Sequence, residues 1–107
     1  SIEEIVKSSN KLAGHEGVHG LDLLAYRFAG DVPSLMTAVR SVTDKPVIIA
    51  GSIDCKKKII EVMKSGARAF TIGTAALDGV YTSKGHNLTS QLIKIIEDVA
   101  AIDSKDL

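Results

Sequence analysis

Two neighbouring turns in the sequence carry a glycine followed by a hydroxyl residue. The apolar run Val47–Ala50 leads into Gly51-Ser52, and the run Ala69–Ile72 leads into Gly73-Thr74. Glycine lets a backbone approach a ligand closely, and the amides after such a turn point outward, where a helix start adds partial positive charge. One such turn alone is better explained as a tight corner between a strand and a helix. The adjacent pair predicts a site that holds a phosphate dianion with backbone amides and two hydroxyls.

The mostly apolar run Gly20–Phe28 predicts a strand that carries three candidate catalytic residues, Asp22, Tyr26 and Arg27. Side chains alternate between the faces of a strand, so Asp22 and Tyr26 share one face. We assign that face to the interior of the fold, where a carboxylate needs polar partners or water. Arg27 would lie at the functional end and could bind a carboxylate or a second phosphate. In the alternative interpretation Tyr26 only fills space and Arg27 forms a surface ion pair with Asp31.

The sequence predicts neither a metal site nor a cofactor. His15 and His19 are four residues apart, but no helix is predicted to hold them and no third ligand is near. Lys45 precedes its strand and lies at the end opposite the glycine turns, so these strands offer no lysine for Schiff-base chemistry. The single cysteine, Cys55, excludes an internal disulfide and suits a reducing compartment.

Helices and strands that alternate along the chain must position these residues. Ser1–Glu4 has the pattern of a capping box and begins the first helix. Asp31 is expected to cap the second helix and Asp54 the third, and the last helix runs from about Leu88. Apolar residues at helical spacing predict that the last helix packs through one stripe. That stripe consists of Leu92, Ile95, Ile96 and Val99.

The resulting order αβαβαβα predicts a single α/β domain over residues 1–107, with a parallel sheet covered by helices. Apolar residues make up 45% of the chain and charged residues 24%, so a packed core is expected. The formal net charge is zero, which argues against a nucleic-acid partner. No apolar run approaches the roughly 20 residues of a membrane span, so no membrane partner is expected and the predicted location is the cytoplasm.

The segment Lys45–Gly79 resembles the last two strand units of the phosphate-binding (β/α)8 TIM barrels, the ribulose-phosphate-binding type. The isomerase and cyclase of histidine biosynthesis belong to that superfamily. Its seventh strand ends in a Gly-Gly or Gly-Ser turn, which Gly51-Ser52 matches. Its eighth strand ends in Val/Ile-Gly-x-Ala, which Ile72–Ala75 matches, and Ala75–Gly79 would form its short extra helix. The isomerase and cyclase carry a catalytic aspartate where Ala25 stands here, so the resemblance does not extend to that reaction.

The resemblance implies that the chain forms the last three βα units of such a barrel. We therefore expect a carboxyl-terminal fragment or a half-barrel that associates with other copies, and we expect the chain alone to be inactive. The implied function is binding of a small phosphorylated metabolite, as part of a sugar-phosphate isomerase, epimerase or aldolase-type lyase. The alternative is a ligand-sensing regulatory barrel that resembles the glycerol-phosphate-responsive antiterminators.

Overall fold

The computed structural model describes all residues, 1–107. It has the α/β architecture that the sequence predicts, because helices alternate with the strands of a three-stranded parallel sheet of order β1-β2-β3. The strands are β1 (Leu21–Leu23), β2 (Val47–Ile49) and β3 (Ala69–Phe70). The helices are α1 (Ile2–Ala13), α2 (Val32–Ser41), α3 (Lys56–Lys64), α4 (Thr74–Leu77) and α5 (Leu88–Ala101), and a 3₁₀ turn covers Ala25–Arg27.

Polar side chains begin three of the helices, as local sequence predicts for the first two. The Ser1 hydroxyl accepts a hydrogen bond from the amide of Glu4 at 3.3 Å and so caps α1. The Asp31 carboxylate accepts from the amide of Ser34 at 3.1 Å and caps α2. Asn87 caps α5 in the same way. Each cap satisfies an amide that has no partner inside its own helix.

The expectation that Asp54 caps α3 is wrong. The N-cap residue is Cys55, whose extended backbone suits that position but whose side chain makes no capping hydrogen bond. The Asp54 carboxylate instead forms an ion pair with the Lys58 ammonium at 3.1 Å. The first amides of the helix therefore have no side-chain acceptor.

Replacing Cys55 with serine is expected to raise the stability of the chain, because a serine hydroxyl can accept from the amides that Cys55 leaves uncapped. The expected gain is about 0.5–1 kcal/mol, which corresponds to a rise of about 4 °C in Tm for a domain of this size. Thermal unfolding followed by circular dichroism measures the change. Cys55→Ala is the control, because it removes the thiol without adding an acceptor. Equal Tm values for the two variants would contradict the capping explanation.

Strand β1 is shorter than the predicted strand Gly20–Phe28. Its last ladder hydrogen bond runs from the amide of Ala50 to the carbonyl of Leu23. The next amides turn back on the chain, because Arg27 donates to Leu24 and Phe28 donates to Ala25 in i→i+3 contacts. The predicted alternation of faces is therefore wrong beyond Leu23, and Tyr26 does not share a strand face with Asp22. The third strand also ends early, at Phe70 rather than Ile72.

The helices cover only one face of the sheet. Val47 and Ile49 belong to the hydrophobic core together with the inward side chains of α2 and α3, and the partly buried Leu21, Leu23 and Phe70 pack against it. The opposite face shows Asp22, Ile48 and Ala69 in one row of the ladder, and all three are exposed. Parallel sheets are usually buried on both faces, so this open face distinguishes the chain from an ordinary small α/β domain.

Helix α5 packs through polar residues, so the predicted apolar stripe is wrong for all but one of its members. Gln91 bonds to both the amide and the carbonyl of Thr82, and the Tyr81 hydroxyl donates to Asp98 at 2.8 Å. Burial opposes ionisation of Asp98, but hydrogen bonds from Lys94 and Tyr81 outweigh it and lower the pKa of this carboxyl. Of the predicted stripe, Ile95 contacts the core, and the exposed members are Leu92, Ile96 and Val99.

None of the helices combines the length and the apolar composition that crossing a membrane requires.

Candidate functional site

A cavity of about 450 Å³ lies at the carboxyl ends of the strands. The four residues of the glycine turns, Gly51, Ser52, Gly73 and Thr74, line this cavity together with Arg27. The fold therefore brings both turns and one of the candidate catalytic residues to a single place. This is the end of a parallel sheet at which α/β proteins usually bind ligands.

The Gly51-Ser52 turn has a backbone conformation that few residues adopt. Gly51 has φ +83° and Ser52 has φ +60°, and Ser52 is the one non-glycine residue of the chain with positive φ. The amides of Gly51, Ser52 and Ile53 donate no hydrogen bond within the chain. Successive free amides in a left-handed turn form a concave donor surface that suits an anion.

The Gly73 turn faces the same cavity from the next strand. Its amide also donates no hydrogen bond within the chain. A Cβ atom added at Gly73 would meet no atom within 4 Å, so the space in front of this residue is open. The resemblance implies a short helix over Ala75–Gly79, and the structure instead places this helix, α4, at the four residues Thr74–Leu77. The dipole of a helix of this length is small, so it adds little to anion binding. The free amide of Gly73 and the open space in front of it are the features that could bind an anion.

Arg27 supplies a positive charge beside the first turn. A Cβ atom added at Gly51 would lie 3.6 Å from Nε of Arg27 and 3.3 Å from Cδ2 of Leu24. The guanidinium forms no ion pair within the chain, and Asp31, the partner proposed in the alternative interpretation, bonds to Ser34 instead. Arg27 can therefore offer its paired N–H groups to an anion in the cavity.

The structure places Tyr26 against α3 rather than in the cavity lining. Its hydroxyl donates to Glu61 Oε1 at 2.6 Å and lies 3.2 Å from the backbone carbonyl of Lys58. Burial raises the pKa of the Tyr26 hydroxyl far above its ordinary value, and the hydrogen bond to the Glu61 carboxylate raises it further. The hydroxyl therefore stays protonated at neutral pH and acts as a donor.

Asp22 is exposed on the open face of the sheet and does not line the cavity. It lies beside Ile48 in the ladder, below the cavity and on the face that carries no helices. The two histidines His15 and His19 are exposed, and His86 contacts the carbonyl of Gly79 through Nδ1 at 3.1 Å, outside the cavity lining. Of the candidate catalytic residues, only Arg27 reaches the glycine turns.

Two charged residues of the site were not among the sequence candidates. Asp54 lines the cavity, and Lys58 pairs with Asp54 and donates to the carbonyl of Ser52 at 2.8 Å. Their i, i+4 spacing is a recognisable signal for an ion pair in a helical segment. Nothing in the spacing indicates that the same ammonium also reaches the carbonyl of the glycine turn.

Comparison of the chain with models of known protein families, with curated proteins and with solved structures finds no match. The fold and the site define its class by themselves. The chain is an α/β protein in which a three-stranded parallel sheet has one open face and a cavity at its carboxyl ends.

Proposed function

We propose that the chain binds the phosphate group of a small phosphorylated metabolite in this cavity, as part of a sugar-phosphate isomerase, epimerase or aldolase-type enzyme. The observation that carries the proposal is the convergence of unpaired donors on one cavity. These donors are the amides of Gly51, Ser52, Ile53 and Gly73 and the guanidinium of Arg27.

Phosphate fits this donor set better than a smaller anion does. A phosphomonoester dianion presents three acceptor oxygens in tetrahedral directions, so it can accept from two turns and from a guanidinium at the same time. A carboxylate has only two oxygens in one plane and would leave part of the set unpaired. The hydroxyls of Ser52 and Thr74 line the same cavity and can add further donors.

The open face of the sheet supports the second part of the proposal, which concerns the rest of the enzyme. A (β/α)8 barrel buries the inner face of its sheet among eight strands, and its acid and base groups come from the ends of several strands. The exposed row of Asp22, Ile48 and Ala69 would become that inner face. We propose that further strands, from another copy of the chain or another polypeptide, cover this row and supply the reacting groups.

Titration of the 107-residue chain with inorganic phosphate tests the proposal. We expect the amide resonances of Gly51, Ser52 and Gly73 to shift, with Kd in the millimolar range, about −4 kcal/mol, because inorganic phosphate lacks the contacts of a complete metabolite. Replacing Arg27 with methionine should raise Kd by about tenfold to a hundredfold, because a charge-assisted hydrogen bond contributes about 1.5–3 kcal/mol. Arg68→Met is the matched control, because Arg68 is exposed and does not line the cavity.

The phosphate proposal fails if the chemical shifts of the amides in the two turns do not change at phosphate concentrations well above the millimolar range. It also fails if Arg68→Met weakens binding as much as Arg27→Met does, because the anion would then respond to the net charge of the chain and not to the cavity.

A further inference from the structure

The ammonium of Lys58 connects three parts of the site. Its Nζ donates to the carbonyl of Ser52 at 2.8 Å and lies 3.1 Å from Oδ1 of Asp54. The same atom lies 4.9 Å from the centroid of the Tyr26 ring, a distance at which a cation is attracted to an aromatic face. One side chain on the first turn of α3 therefore contacts the Gly51-Ser52 turn, a charged residue of the cavity and the segment next to Arg27.

The contact with the Ser52 carbonyl bears on a conformation that needs support. Ser52 has φ +60°, a region that a residue with a Cβ atom occupies only when its surroundings hold it there. The carbonyl of Ser52 accepts no backbone hydrogen bond, and Lys58 is its side-chain donor. The Ser52 carbonyl shares one planar peptide unit with the free amide of Ile53, so an interaction that fixes the carbonyl also fixes the direction of this donor.

The contact with Asp54 bears on the charge of the cavity. Asp54 lines the cavity, and an unpaired carboxylate there would repel the anion that the amides attract. Lys58 is the partner of this carboxylate in an ion pair. The positive charge of Lys58 offsets the negative charge of Asp54. Arg27 is therefore the charged residue of the lining that has no ion-pair partner.

The contact with Tyr26 extends the network to the 3₁₀ turn Ala25–Arg27. The Tyr26 hydroxyl donates to Glu61 on α3 and contacts the backbone carbonyl of Lys58, and the next residue in the chain is Arg27. These bonds tie the 3₁₀ turn to α3. The position of the guanidinium and the shape of the Gly51-Ser52 turn thus depend on the same helix.

We propose that Lys58 is a positioning residue of the anion site, which holds the Gly51-Ser52 turn in its binding conformation and compensates the charge of Asp54. The proposal rests on the proposed function of the cavity, since it assigns a role in binding the same anion. Lys58 does not line the cavity itself. It acts through the Ser52 carbonyl and the Asp54 carboxylate.

Lys58→Met tests this proposal in two independent measurements. In the chain without phosphate, we expect the ¹⁵N order parameters of Ser52 and Ile53 to fall from about 0.85 to below about 0.6. The reason is that the turn loses the hydrogen bond from Lys58 to the Ser52 carbonyl. In the titration with inorganic phosphate, we expect Kd to rise about tenfold, which corresponds to the loss of about one charge-assisted contact. Tm should change little, because the Lys58 ammonium forms a partly exposed pair.

Two further variants separate the effect of Lys58 on the order of the turn from its effect on the charge of the cavity. Adding Asp54→Asn to Lys58→Met should recover part of the phosphate affinity, because it removes the charge that the lysine compensated, but it should not restore the order of the turn. Lys57→Met is the matched control, because Lys57 is the preceding residue on α3, is exposed and forms no ion pair. It should leave both the order parameters and Kd at their original values.

The measurement in the phosphate-free chain distinguishes the failure of this inference from the failure of the proposed function. If the original chain does not bind phosphate, the proposed function falls, and the role in anion binding falls with it. If the original chain binds phosphate but Lys58→Met keeps both the turn order and the Kd, only the role of Lys58 is overturned. Equal effects of Lys57→Met and Lys58→Met would also overturn it, because net charge would then explain the result.

Discussion

Alanine in place of Ile49 is expected to destabilise the chain by about 2–5 kcal/mol, which is the usual cost of removing a fully buried isoleucine side chain. Ile49 lies on the central strand and is completely buried against the helices. Domains of this size have about 5–15 kcal/mol of total stability, so the change removes a large part of it. The preceding residue offers a matched control, because Ile48 has the same side chain on the same strand but is 37% exposed on the open face.

Ile48→Ala should lower the free energy of unfolding by about 1 kcal/mol or less if the open face is in water, because little packing is lost there. Urea denaturation at low protein concentration measures both variants. Similar costs for Ile48→Ala and Ile49→Ala would contradict a one-sided sheet in the isolated chain. If the cost of Ile48→Ala instead increases with protein concentration, other copies of the chain cover the open face, as mass action requires for stability that depends on association.

The order of the elements and the positions of the turns could be predicted because they depend on local patterns. The caps at Ser1 and Asp31 are set by residues three positions apart, and the structure has both. The parallel sheet follows from apolar runs that are separated by helical segments. Gly51 and Gly73 follow such runs directly, so the carboxyl-end location of both turns was predictable from the sequence.

The limits of the strands could not be predicted because they depend on contacts between distant segments. Nothing in the run Gly20–Phe28 indicates that Leu23 makes the last ladder bond, with Ala50, and that Ala25 is then buried in a 3₁₀ turn. The face of α5 was mispredicted for a related reason. Gln91 and Asp98 are polar, and partners on another segment, Thr82 and Tyr81, help to make them suitable for burial.

The candidate site shows the same division. The sequence predicted one site for the two glycine turns and placed Arg27 at the same end of the sheet, but it did not show that Asp22 and Tyr26 lie outside the cavity. The roles of Lys58 and Asp54 depend on the unusual backbone of Ser52, which is a three-dimensional property. A serine at this position gives no sequence signal of positive φ, because glycine or asparagine is the usual residue there.

Valine in place of Gly73 is expected to weaken phosphate binding strongly while leaving the fold intact. Gly73 has φ −121°, which does not require glycine, and an added Cβ atom would meet nothing within 4 Å. The new side chain would therefore occupy the open space of the cavity without displacing a neighbour. We expect Kd for inorganic phosphate to rise at least tenfold, equivalent to about 1.4 kcal/mol, with a change in unfolding free energy within about 1 kcal/mol.

Valine at Gly51 provides the comparison, since it should lower both the affinity for phosphate and the free energy of unfolding. Gly51 has φ +83°, and an added Cβ atom would lie 3.3 Å from the Leu24 side chain, so the substitution strains the turn as well as narrowing the cavity. Removing single hydroxyls with Ser52→Ala or Thr74→Ala should cost less in binding, about 0.5–1.5 kcal/mol each, because most donors of the site are backbone amides.

Calorimetric titration with inorganic phosphate and urea denaturation measure the two properties in the same samples. Gly14→Val is the control for adding a side chain at an unstrained glycine, because Gly14 has φ −80° and its nearest neighbours would lie 3.6 Å from the added Cβ atom, far from the cavity lining. If Gly73→Val binds phosphate as tightly as Gly14→Val does, the space in front of Gly73 is not the anion site. The two glycine turns would then be tight corners between strands and helices, and the proposal of a phosphorylated ligand would fail with them.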